Sequence, residues 1–378
     1  MEGCPDGRPS FLLRRYCSAP DCDNIAANAP VPNAAAGYVQ GEDTMTDLTR
    51  RHLLGGAGAV GAALALGSLA DRSTAHAAAP AAGKQAPGIY RYKVGSFECT
   101  SISDGARTFP MPDAFVRNVP KSEALAAAEA AHMPKGMVTV PFNPQLINTG
   151  GKLVLIDSGF GAGMLGPSKG AIGQLMSNLA AAGVDAKRVD VVLMSHLHPD
   201  HTNGIRSADG AMAFPNAEIM VPAKDWAFWM SEENAAKAQS NEMMKGYFAN
   251  VRKVYAGIEG KVTKYDWGKE VLPGITAIDT HGHTPGHTSF AVASGSSKIL
   301  IQSDVTNIPE FFLRNPNWHV AFDVDPVEAA KTRHKFYDMA AAEKALIAGF
   351  HFSFPSLGYV EKDGAKYRLV PVRWNPAI

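Results

Sequence analysis

The decapeptide SHLHPDHTNG, Ser195–Gly204, holds His196, His198, Asp200 and His201 within six residues. Imidazole nitrogen and carboxylate oxygen are the donors that hard and borderline divalent cations take. Alternate residues of an extended segment point the same way, so His196 and His198 can grip one ion from a single face. A helix expected to begin near Pro199 would turn Asp200 and His201 toward a second position beside the first. Three of the chain's 12 histidines are spent here, directly behind the apolar run VDVVLM. A lone histidine is usually a packed or surface residue, but this cluster at a strand end points to metal binding.

Four residues do not complete two coordination spheres, so further donors are needed downstream. The stretch DTHGHTPGHTSF supplies His287 at the start of an expected strand, LIQSDV supplies Asp304 after an apolar run, and GFHFSFP supplies His351. Thiolates are excluded on position: of 4 cysteines, Cys4, Cys17 and Cys22 lie upstream of Met45, leaving Cys99 alone in the remainder. Any ion must therefore be held by nitrogen and oxygen, with an open position for chemistry.

The elements that carry these donors follow from pattern. IYRYKVGSFECTSISDG and MVTVPFNPQLINTG are expected strands with Gly turns, and GKLVLIDSG is a near-continuous apolar strand of the buried kind. Ile172, Leu175, Met176 and Leu179 follow helical spacing, and VVLMS is the strand that delivers the first donor loop. AEIMVP, GITAIDT, TSFAVASG and KILIQSD are further strands; AKDWAFWMSEEN and PVEAAKTRHKFYDMAAAEK are helices. Mixed strands and helices in two similar halves imply two stacked sheets with helices outside, in one domain running from Pro87 to the end at 378.

Composition narrows the partners. The chain of 378 residues carries 36 Lys+Arg and 36 Asp+Glu, with 46% hydrophobic and 19% charged residues. Without a basic field there is nothing to gather nucleic acid or an acidic membrane surface. Residues 45–79, MTDLTRRHLLGGAGAVGAALALGSLADRSTAHAAA, resemble an export signal: Arg50-Arg51, a mild Gly/Ala-rich run, then Ala75-His76-Ala77. Twin arginines mark the Tat type, so a periplasmic or secreted location is expected. So Ala/Gly-rich a run inserts weakly, which favours a removed signal over stable membrane insertion. Residues 1–44 are expected to be a non-native or disordered extension ahead of Met45.

LIDSG with Asp157, HLHPDH, HTPGHT, the SD of Asp304 and the FH of His351 resemble, in order, the motif set of metallo-β-lactamase-fold hydrolases. The resemblance covers the chain from about Tyr90 onward and implies an α+β fold, an αββα sandwich with two mixed sheets. It implies two divalent ions, Zn2+ first, with Mn2+, Co2+ or Fe2+ as alternatives. His196, His198 and His287 would hold one, Asp200, His201 and His351 the other, and Asp304 would bridge them. Asp304 and Asp200 would be the catalytic carboxylates. Asp157 would stand behind the donors and accept an imidazole N–H, and His283 would hydrogen-bond a neighbouring donor.

AFPNA at Ala213–Ala217, KDWAFW, LGPSKG and the tail FPSLGYVEKDGAKYRLVPV are similar to the methyl parathion hydrolase group of exported phosphotriesterases. That likeness puts Leu165, Trp229 and Tyr247 in the substrate pocket. The implied reaction is attack of a bridging hydroxide on a small neutral phosphotriester of the methyl parathion or paraoxon type. Acyl-homoserine lactones are the alternative substrate on the same site. A homodimer is open by the same likeness.

Overall fold

In Leu153–Ile156, Val154 and Ile156 face one core while Leu155 faces another, and all three are buried. A strand apolar on both faces needs a layer on each side, and the sheets answer that need. The structure is a computed structural model and describes residues 82–378. The expected extension 1–44 and signal 45–79 lie outside the described residues.

The chain begins with β1 (Ile89–Val94) and β2 (Phe97–Ile102), an antiparallel pair. A hairpin of β3 (Gly105–Pro110) and β4 (Met137–Phe142) follows, with helix α1 (Lys121–Ala130) between its arms. Next come β5 (Gln145–Asn148), β6 (Leu153–Ile156), α2 (Leu175–Ala181), β7 (Val191–Leu193), α3 (Pro199–Thr202) and β8 (Glu218–Pro222). The helices α4 (Ala223–Met230), α5 (Glu232–Lys237) and α6 (Glu242–Tyr255) lead to β9 (Thr263–Tyr265). The first sheet is ordered β1-β2-β5-β6-β7-β8-β9.

The second sheet runs in sequence order: β10 (Glu270–Leu272), β11 (Ile275–Asp279), β12 (Thr288–Ser294), β13 (Ser297–Ser303), β14 (Leu346–Gly349), β15 (Leu357–Asp363) and β16 (Lys366–Pro371). Helices α7 (Pro309–Phe312) and α8 (Pro326–Ala342) fall between β13 and β14. Val191 and Leu193 of one sheet meet Phe290, Val292, Ile299 and Ile301 of the other in a shared core. Val192 turns instead to α4 and α6, and Leu300 to α8. The result is the expected αββα sandwich of two mixed sheets.

Local differences have local causes. The helix expected over AKDWAFWMSEEN divides at Ser231, whose extended backbone ends α4 and whose hydroxyl accepts from Asn234 N–H to cap α5. Both sheets present their parallel strand ends to one rim. Two of those ends, Asp157 and Ser303, sit at φ 62° and 50°, a left-handed backbone that non-glycine residues hold only when the surroundings compel it.

Candidate metal centre

At the end of β7 the chain stays extended to His198 and then turns into α3, with Pro199 at its first position. This swings Asp200 and His201 beside His196 and His198. Loops before β12 and after β13 and β14 bring in His283, Asp304 and His351. The donor atoms fall into three overlapping groups, His196/His198/His283, His196/His201/Asp304 and Asp200/His201/His351, each within 4.8 Å.

Asp304 joins the groups. Its Oδ1 lies 3.2 Å from His201 Nε2, and its Oδ2 lies 2.9 Å from His351 Nε2 and 3.4 Å from His283 Nε2. Asp200 Oδ2 is 3.5 Å from both His201 Nε2 and His351 Nε2. His198 Nδ1 and His283 Nε2 converge to 2.9 Å.

Four of the donor rings are fixed from behind. Asp157 accepts from Ser195 N–H and hydroxyl, each at 2.8 Å, and from His201 Nδ1–H at 2.9 Å. His196 Nδ1 meets Ser195 Oγ at 3.0 Å, and His351 Nδ1–H donates to Pro141 O at 2.8 Å. His283 Nδ1–H donates to Asp323 Oδ1 at 2.8 Å. Asp323, buried beside Arg333, was not singled out from the sequence; it stands outside any motif, ahead of the Asp that caps α8.

The geometry corrects the assignment within the third motif. His287 Nδ1–H donates to Thr280 O at 3.0 Å, and Nε2 accepts from the Asp304 backbone N–H at 3.0 Å. With both nitrogens engaged, His287 has no lone pair to offer an ion, and it stands outside the three donor groups. His283, expected only to support a neighbour, occupies the donor place. His281 is half exposed and pairs with Asp279.

The residues fit divalent cations. His196 Nε2, His201 Nε2 and Asp304 Oδ1 are buried with no hydrogen-bond partner. An unpaired buried polar atom costs about 1–3 kcal/mol, so several around one point are explained by a cation that pairs them. Electrostatics agree. Burial, then the neighbouring histidines, presses His196 well below the usual imidazole range, and His198 likewise. Burial acts the same way on His201 and His351, but the Asp304 and Asp200 carboxylates outweigh it and hold both above that range. The carboxylates thus draw positive charge to this spot.

Above the donors opens a pocket of about 210 Å³, walled by Phe109, Phe142, Phe160, Tyr247 and Phe322 with Arg107 at its edge. Tyr247 lines it as expected from the likeness. Leu165 does not: it is exposed at the end of a one-turn segment outside the pocket wall. Trp229 does not either. It is fully buried behind His198, with ring centroids 5.7 Å apart and its Nε1–H donating to Asp225. The four phenylalanines of the wall come from four separate segments and belong to no motif.

A family model described as the metallo-beta-lactamase superfamily matches residues 143–351, a span that includes every donor. Among curated proteins, the chain is 27% identical over 150 residues to the uncharacterized protein YobT of Bacillus subtilis strain 168, covering 40% of this chain and 56% of that one. It is 26% identical over 159 residues to an N-acyl homoserine lactonase of a Bacillus species, covering 42% and 55%. The chain thus spans little more than half the length of these curated relatives. Among solved structures, the hydrolase AbOPH of the beta lactamase superfamily superposes with a TM-score of 0.70 at 31% identity, covering 77% of this chain and 100% of that one. The dizinc quorum-quenching lactonase AidC shares the fold, with a TM-score of 0.68 at 23% identity over 76% of this chain and 99% of that one.

Proposed function

The chain belongs to the metallo-β-lactamase superfamily, and from that premise we propose that it is a metal-dependent hydrolase that uses two divalent cations, Zn2+ first, to cleave small neutral aryl phosphotriesters. The observation that best supports this is the placement of Asp304, one carboxylate facing both donor sets beneath an aromatic wall. His196, His198 and His283 would hold one cation, Asp200, His201 and His351 the other, with Asp304 shared. Held by these residues, the cations would supply a bound water of lowered pKa and polarisation of an ester oxygen.

The chain's own groups do the rest. Asp157, Asp323, Ser195 and the Pro141 carbonyl lock ring orientations, so that lone pairs face inward without reorganisation. Phe109, Phe142, Phe160 and Phe322 exclude water and offer ring faces to an aryl leaving group. Tyr247 leans against His198, with ring centroids 4.7 Å apart and planes inclined at 47°. Burial, then the Asp200 and Asp304 carboxylates, raises its phenol above the ordinary range. It therefore stays protonated and able to donate to a substrate oxygen.

A second reading, hydrolysis of acyl-homoserine lactones, is favoured by the match to an N-acyl homoserine lactonase. An acyl carbonyl and a phosphoryl centre accept the same nucleophile. The test is a paired measurement of kcat/KM on an aryl dialkyl phosphotriester and on an acyl lactone, before and after chelation. A higher value for the triester, lost on chelation and restored by Zn2+, supports the first reading. A higher value for the lactone overturns it in favour of the second.

A further inference from the structure

Asp225 is a fully buried carboxylate on the first turn of α4 that takes no place among the donors. Its Oδ2 accepts from Leu197 N–H at 2.9 Å, the peptide between His196 and His198. Its Oδ1 accepts from Gly286 N–H at 2.8 Å, in the turn between His283 and His287. A third bond arrives from Trp229 Nε1–H at 3.1 Å, one helical turn on. Thr288 N–H bonds Ser195 O at 3.0 Å and ties the bases of the two loops; Asp225 ties their tips.

Gly286 completes the contact. A Cβ built there would lie 2.1 Å from the Asp225 nitrogen and 2.7 Å from its Cα. The loop therefore rests against the start of α4 more closely than any residue with a side chain permits. These are the loops that bring His198 Nδ1 and His283 Nε2 to 2.9 Å.

We propose that Asp225 is a positioning residue that sets the spacing of His198 and His283, and with it the affinity of the cation position those two share with His196. The other position is held independently, through Asp157 behind His201 and Pro141 O behind His351. The inference rests on the two-cation reading, and it assigns the two positions different dependence on one distant carboxylate.

The test is Asp225→Asn, which keeps the side chain's shape but turns an NH2 group either toward the Gly286 N–H or toward the Leu197 and Trp229 N–H groups. Metal-free wild type and variant are titrated with Co2+ against a competing chelator, following visible absorption for each equivalent and circular dichroism for the fold. The expected result is one equivalent bound as in wild type and the other weakened by about 10–100-fold, the usual cost of losing an outer partner. Gly286→Ala, which lifts the loop from α4 and leaves Asp225 intact, should give the same selective loss. It carries the test if Asp225→Asn does not fold. Two equivalents of wild-type affinity in both variants overturn the inference. So does equal weakening of both equivalents together with a lower melting temperature of the metal-free chain, which is what a merely structural role produces. If wild type takes up one equivalent only, the two-cation reading fails; Asp225→Asn must then still weaken that equivalent for the inference to stand.

Discussion

The floor and the wall of the same cavity are built in opposite ways. On the floor, donor rings have a second, directional bond behind them: Asp157 for His201, Asp323 for His283, Pro141 O for His351. In the wall, rings rest on rings: Phe142 and Phe160 lie 4.8 Å apart between centroids, and Phe322 and Phe109 back onto the buried Phe115 at 5.9 Å and 6.3 Å. Hydrogen bonds fix angles, whereas apolar packing tolerates exchange of similar volume. Chemistry should therefore be brittle to change on the floor, and substrate preference should be adjustable in the wall at small cost.

The largest effect that could break this contrast lies at Asp304. Asp304→Ala removes the carboxylate shared between the two donor sets, and kcat should fall on the order of 10³-fold or more while the far-ultraviolet circular dichroism is unchanged. Elemental analysis of the same sample should find less metal per chain. A fully active Asp304→Ala chain would end the assignment of the floor.

The next effect separates two histidines four residues apart. His283→Ala removes a donor and should cost on the order of 10²-fold in kcat/KM. His287→Ala removes only the ring that holds the Asp304 backbone N–H, and about 10-fold is expected, as for an outer partner. Steady-state kinetics on both variants decides the order, and the reverse order would restore His287 as the donor.

In the wall the expected change is smaller and of another kind. Phe322→Ala removes one ring face, worth roughly 1–2 kcal/mol of binding, so KM should rise about 10-fold with kcat nearly constant. A fall in kcat alone would show that the wall acts on the reacting atoms rather than on the bound ester.

The same division governs what could be read from the sequence. His196, His198, Asp200 and His201 lie on one short loop, so spacing alone brings them together. Asp304 and His351 could be found because each ends a recognisable apolar strand. In the third motif, HGHTPGH, spacing offers His281, His283 and His287 alike; what selects His283 is that the Thr280 carbonyl and the Asp304 N–H already occupy His287. Those partners exist only once β11, β12 and β13 of the second sheet are in register. The pair His283–Asp323 is 40 residues apart in the chain and carries no pattern. Trp229 is four residues after Asp225, so the helix turns its indole toward that carboxylate and the core, not toward the pocket.

One wall ring is an exception to the contrast, and the effect it predicts falls on stability and not on turnover. Phe160 is held through its backbone: Asp104 Oδ2 accepts from Phe160 N–H and Oδ1 from Leu175 N–H, each at 2.8 Å. Burial pushes the Asp104 carboxyl up to about 6, against the pull of backbone N–H groups of Leu175, Phe160 and Gly173. A carboxyl whose folded pKa exceeds its unfolded one binds its proton better in the fold. Its stabilising contribution is present below the unfolded pKa and is lost as pH rises through that value toward the folded one. In the metal-free chain, wild type should therefore lose about 1–3 kcal/mol relative to Asp104→Asn between roughly pH 4 and pH 6.5. Urea unfolding of both proteins across that window measures the difference. A flat difference would mean that the N–H bonds, not burial, set the charge state, and that Phe160 is anchored by an ionised group as firmly as the floor is.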